Sequence, residues 1–144
     1  MEKIGVIGAG SWGTALAILL NENGNDVTLW SHRETEAEHM RQSRECSKLP
    51  GIKIPEAVEI TSDLKQAVSG KKVLVMVVPS RCMRETAELL KECVAPGTYV
   101  ISAAKGIEDE TLFTMTDILE QVLPQADVAV LSGPSHAEEV AKLL

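Results

Sequence analysis

Short apolar runs alternate along the chain with longer segments whose apolar residues recur at helical spacing. Residues 4–7 predict a first strand, and 11–23 a first helix stopped by Gly24. Residues 27–30 predict a second strand, and the polar segment 34–44 a solvent-facing helix. Residues 46–56, with Pro50, Gly51 and Pro55, read as irregular. Residues 59–61 predict a short third strand, with Ser62 as N-cap of a short helix over 63–68. Residues 73–78 are apolar throughout, the pattern of a central parallel strand buried on both faces. Pro79-Ser80 ends that strand and opens a helix to about residue 94, and Pro96-Gly97 makes a turn. A fifth strand over 99–102, a helix over 111–123 and a sixth strand over 128–131 follow, and 135–144 begins another helix. Strands alternating with helices imply a parallel sheet with right-handed crossovers. Six strands match a complete doubly wound α/β domain. The chain ends inside helical sequence, which reads as a fragment whose continuation carries substrate contacts.

The turn between the first strand and first helix is Gly8-Ala9-Gly10-Ser11-Trp12-Gly13. Gly8 permits a tight turn, Gly10 a close approach of backbone to a pyrophosphate, and Gly13 close packing of helix on strand. The open N–H groups at the helix start then face the phosphates. In this strand–turn–helix context the glycine pattern predicts a dinucleotide site on a Rossmann-type, mostly parallel sheet.

Composition narrows the partners. The 144 residues suit one domain, and a domain of this length buries about two-thirds of its unfolded surface. The net charge of −7 and the absence of a Lys/Arg cluster argue against nucleic acid. Cys46, Cys82 and Cys93 are odd in number and lack ligand spacing, so they read as free thiols in a reducing compartment. His32, His39 and His136 make no ligand pattern, so no metal is expected. No segment has the length of a membrane span or the form of a signal peptide, and the expected location is the cytoplasm.

Cofactor choice turns on the second strand, which ends Leu29-Trp30-Ser31-His32-Arg33. Asp26 is acidic, but it stands at the strand's start, away from the ligand crevice. Ser31 can donate to a ribose 2′-phosphate, Arg33 can pair with it or stack on adenine, and His32 can contribute. This favours NADP(H), with NAD(H) left open. The plainer reading makes Arg33 an ordinary surface charge at a helix start.

Two further segments carry a resemblance: Ser102-Ala103-Ala104-Lys105-Gly106-Ile107 after the fifth strand, and Gly133-Pro134-Ser135-His136-Ala137-Glu138 after the sixth. With the glycine turn and Val78-Pro79-Ser80, they resemble the bacterial NAD(P)-dependent glycerol-3-phosphate dehydrogenase family, in the family's order and over the whole chain. The resemblance implies interconversion of dihydroxyacetone phosphate and sn-glycerol 3-phosphate by hydride transfer, feeding phospholipid synthesis. It implies cofactor contacts from Ser11, Trp12, His32, Arg33, Lys105 and Ala137, and substrate contacts from Lys105, Gly133 and Ser135. It also implies a helical second domain, beyond this sequence, that holds the proton-transferring lysine and most of the phosphate grip. The family is commonly dimeric.

Independently, Lys105 follows a strand's carboxyl end, where an ammonium can stabilise charge growing on a carbonyl oxygen. A solvated loop lysine is the plain alternative. Ser135 and Glu138 also fit a capping box, a structural role compatible with anion binding at the same helix start. His136 reads as structural. Trp12 can cover the pyrophosphate or pack as core. Two rival functions stay open: another two-domain dehydrogenase of the 3-hydroxyacid or ketopantoate type, and a non-catalytic nucleotide-binding redox sensor.

Overall fold

The computed structural model describes residues 1–131. Its eight strands are β1 (Lys3–Ile7), β2 (Asp26–Trp30), β3 (Glu45–Cys46), β4 (Leu49–Lys53), β5 (Glu59–Thr61), β6 (Val73–Met76), β7 (Tyr99–Ser102) and β8 (Asp127–Val130). Its helices are α1 (Ser11–Glu22), α2 (Glu34–Ser43), α3 (Leu64–Val68), α4 (Met83–Leu90) and α5 (Met115–Val122). Six strands form one sheet in the order β5-β2-β1-β6-β7-β8, and every pairing is parallel. The order doubles back between β1 and β6, which makes that gap the switch point where doubly wound sheets bind ligands. The fold is therefore the Rossmann-type α/β domain expected.

The period-two alternation of each strand divides the core between the two faces. Ile4, Val6, Val27, Leu29 and Val75 join α1 and α2 on one side. Ile7, Leu74, Met76 and Val100 join α3, α4 and α5 on the other. β6 is buried from Leu74 to Met76, as its unbroken apolar run predicts. α2 buries only Ala37 and Met40 and turns the rest outward, again as predicted. Gly5 is a packing requirement that the sequence reading passed over: a Cβ there would lie 2.3 Å from the Ala67 carbonyl oxygen of α3.

Four local expectations need correction. Residues 45–53 are not irregular: β3 and β4 pair antiparallel, and Cys46 and Leu49 bury against the α1 side of the core. The cap of α3 is Asp63 rather than Ser62, because its Oδ1 accepts from the Lys65 and Gln66 N–H groups at 3.0 and 3.4 Å. Ser62 instead donates its hydroxyl to Glu34. The helix opened at Ser80 begins as a 3₁₀ turn, Ser80–Cys82, and α4 closes at Leu90. The helix predicted from residue 111 starts at Met115, because Thr114 caps it and the residues before it fold back on Glu108. Among the described residues no helix is long and apolar enough to cross a membrane.

Candidate functional site

The glycine turn crosses the carboxyl end of β1 at the switch point. Gly8 has φ 126°, and a Cβ there would meet the Val77 carbonyl carbon at 2.8 Å, so this backbone conformation and spacing need glycine. Gly13 is more constrained still, since a Cβ would lie 1.9 Å from the Gly8 carbonyl oxygen. Gly10 differs: a Cβ there would meet no protein atom within 4 Å. The protein's own packing does not require that glycine, and the space beside it is open.

Gly10 is also the N-cap of α1, and no side chain caps the helix. No acidic residue lies in its first turn. The first N–H groups of α1, together with the positive end of its dipole, suit an anion. The turn is held from its inner side. The Thr14 hydroxyl and the Cys46 thiol both donate to the Ala9 carbonyl oxygen, at 3.4 and 3.6 Å. Neither contact is visible in the glycine pattern, and Cys46 reaches the turn from β3, 37 residues along the chain. The donor set and the open space beside Gly10 fit a dinucleotide. Ser11 and Trp12 are half-buried, and Trp12 packs against the core on the α1 side.

At the end of β2, Ser31 is buried, and its hydroxyl donates to Glu36 Oε1 at 2.9 Å. Its N–H donates to the Thr61 carbonyl oxygen. The hydroxyl foreseen as a phosphate donor thus already has a carboxylate partner in the first turn of α2. His32 and Arg33 are exposed, and His32 meets Trp30 edge to face at 6.3 Å. Arg33 is the N-cap of α2 and makes no salt bridge among the described residues.

Lys105 is exposed beyond the carboxyl end of β7. It lines an open pocket of about 220 Å³ with Ser102, Gly106, Thr114 and Leu131 among its walls. Gly106 lies at φ 134°, and a Cβ there would meet the Ser80 Cβ at 2.8 Å. The Lys-Gly segment and the Val78-Pro79-Ser80 segment, far apart in sequence, therefore touch at one edge of the sheet. Gly133, Ser135, His136 and Ala137 lie outside the described residues.

Comparison with known proteins agrees with this geometry. The family model described as NAD-dependent glycerol-3-phosphate dehydrogenase N-terminus matches residues 3–144. The glycerol-3-phosphate dehydrogenase [NAD(P)+] of Fusobacterium nucleatum subsp. nucleatum is 49% identical over 99% of this chain and 43% of that protein. The enzyme of that name from Agathobacter rectalis is 46% identical over 100% of this chain and 43% of its own length. The crystal structure of glycerol-3-phosphate dehydrogenase from Coxiella burnetii superposes with a TM-score of 0.92 at 33% identity, covering 99% of this chain and 44% of that one. The chain thus spans less than half the length of these relatives. It belongs to the NAD-dependent glycerol-3-phosphate dehydrogenase family, matching the family's N-terminal part.

Proposed function

We propose that this chain is the cofactor-binding part of an enzyme that interconverts dihydroxyacetone phosphate and sn-glycerol 3-phosphate, with NADP(H) preferred over NAD(H). A helical domain after it completes the enzyme, and the full-length protein is a cytoplasmic homodimer supplying glycerol 3-phosphate for phospholipid synthesis. One observation carries the reading: the uncapped start of α1, beside the open space at Gly10, shares a sheet edge with the exposed Lys105. Family membership supplies the chemistry that such an edge serves.

When bound, the nicotinamide supplies or accepts a hydride. The chain's own residues do the rest. Gly8 and Gly13 set the turn, and the N–H groups of Ser11, Trp12 and Gly13 bind the pyrophosphate. His32 and Arg33 meet the ribose 2′-phosphate, with Ser31 joining once its hydroxyl turns from Glu36. The Lys105 ammonium donates to the substrate carbonyl oxygen and stabilises the negative charge that grows there. Gly133 and Ser135 contact substrate, and Ala137 contacts cofactor.

Titration with NADPH and with NADH, followed by tryptophan fluorescence and calorimetry, tests the cofactor reading. NADPH is expected to bind more tightly. Arg33→Ala is expected to remove roughly 10- to 100-fold of that affinity, the weight of a hydrogen bond to a charged group. Equal affinities would remove the NADP preference and leave the dehydrogenase reading standing. Turnover of hydroxyacids but not of glycerol 3-phosphate by the full-length protein would overturn the substrate.

A further inference from the structure

The loop that presents Lys105 is fastened from behind. Among the described residues the Lys105 side chain has no salt bridge and appears in no side-chain hydrogen bond, so its placement depends on its backbone. Gly106 sits against Ser80. Two residues later, Glu108 meets Arg84 at the start of α4 in a two-pronged pair, with Nε to Oε2 at 2.7 Å and Nη2 to Oε1 at 2.9 Å. The guanidinium fork matches the carboxylate plane and fixes direction as well as distance. The third prong of Arg84, Nη1, donates to Gln121 Oε1 of α5 at 2.8 Å. The same guanidinium lies 5.9 Å from the centre of the Phe113 ring.

The segment also closes on itself. The Glu108 N–H donates to the Phe113 carbonyl oxygen and the Leu112 N–H to the Glu108 carbonyl oxygen, both at 2.8 Å. Leu112 is held at φ 62°, a region that a leucine rarely adopts. The Thr111 hydroxyl donates to Glu108 Oε1. Stability alone is a weak reason for this arrangement, because ion pairs open to water contribute little. Fixed geometry is what a bidentate pair with five further contacts delivers.

We propose that Arg84 and Glu108 are positioning residues for Lys105. They hold the 106–113 loop so that the ammonium stays at the carboxyl edge of β7. The inference rests on the catalytic reading of Lys105 given above. Neither residue touches the reacting atoms; each acts through the loop backbone.

The test uses the full-length protein with dihydroxyacetone phosphate and NADPH. Arg84→Ala and Glu108→Gln are each expected to lower kcat roughly 10- to 100-fold, the scale of a small misplacement of a catalytic group. The Kd for NADPH is expected to change less than kcat, because the glycine turn at α1 is untouched. Arg84→Lys, which keeps the charge but not the fork, is expected to restore part of the rate. In a Lys105→Ala background, read by single turnover, Arg84→Ala is expected to add no further loss, since residues acting as one unit are not additive. Folded variants with wild-type kcat, or an equal loss with and without Lys105, would overturn the proposal. Glu108→Gln is nearly isosteric and gives the same reading if Arg84→Ala does not fold. Wild-type turnover by Lys105→Ala would instead sink the catalytic reading of Lys105, and the positioning role with it.

Discussion

α1 and α5 both begin at the carboxyl edge of the same sheet, and they begin in opposite ways. α5 satisfies itself: the Thr114 side chain accepts from the Asp117 N–H at 3.2 Å, and the Asp117 carboxylate accepts from the Thr114 N–H at 3.0 Å. α1 has a glycine for a cap and no side chain to satisfy its first donors. Glycine is itself a tolerated cap, within a few tenths of a kcal/mol of threonine, so α1 leaves its first donors open at little cost in stability. The difference teaches where to look for the ligand. A helix start left open, beside a glycine that packing does not need, leaves its first N–H groups free to take an anion.

The largest expected effect tests whether the α1 turn is as tightly built as it is open. Gly13→Ala drives a Cβ into the Gly8 carbonyl oxygen, which belongs to backbone and cannot swing aside. A loss of about 3 kcal/mol is expected, at the upper end of ordinary overpacking, together with loss of NADPH binding. Thermal melting and fluorescence titration read the two. Gly10→Ala is the same chemical change three positions earlier, where the new methyl meets nothing. Its melting should fall by no more than about 1 kcal/mol, the difference between glycine and alanine at an N-cap, while NADPH affinity falls roughly tenfold. Wild-type affinity in Gly10→Ala would mean that the open space is not where the pyrophosphate lies.

A smaller effect, of opposite kind, belongs to α5. Thr114→Ala removes the capping box and should cost ~1 kcal/mol of stability. NADPH affinity should not change. A parallel loss of affinity would couple the two helix starts and erase the contrast between them.

How much of this was legible in the sequence follows the same division. The α1 turn was readable because the glycine spacing lies within one strand–turn–helix unit, although Gly8 also answers to the Val77 backbone just after β6. β5 and β7 were readable to the residue, as short strand-length runs set between turn and helix signals. The β3–β4 hairpin was not. A two-residue strand and the Pro50-Gly51 pair show no periodicity, and only the antiparallel backbone pairing, with Cys46 and Leu49 buried on the α1 side of the core, reveals the hairpin. Ser62 and Asp63 are both good caps, and backbone direction chose the second. Glu36 took the Ser31 hydroxyl through a contact five residues apart that no motif names. Arg84 and Glu108 lie 24 residues apart and meet only through packing around α4. Gly5 carried a signal that was available: a glycine inside a strand marks a close approach of another backbone.

The smallest expected effect concerns the ion pair that closes the region around α4 and α5. The Arg84 guanidinium, aided by the Thr111 hydroxyl, holds the Glu108 carboxyl at about 2, below its ordinary 4.5. With the folded value depressed, the unfolded chain takes up its proton first as the solution is acidified. The pair's contribution is therefore present in full above the unfolded value near 4.5 and is lost as pH falls towards 2. Glu108→Gln has no such proton to gain. Wild type should melt above the variant at neutral pH by a small margin, because both partners reach water. That margin should narrow across the window from 4.5 down to 2. The other carboxylates titrate in both proteins, so the difference isolates Glu108. A margin that stays constant through the window would assign the closure to shape and neutral hydrogen bonds. The second region would then be self-sufficient without charge, and the contrast with α1 would rest on the capping box alone.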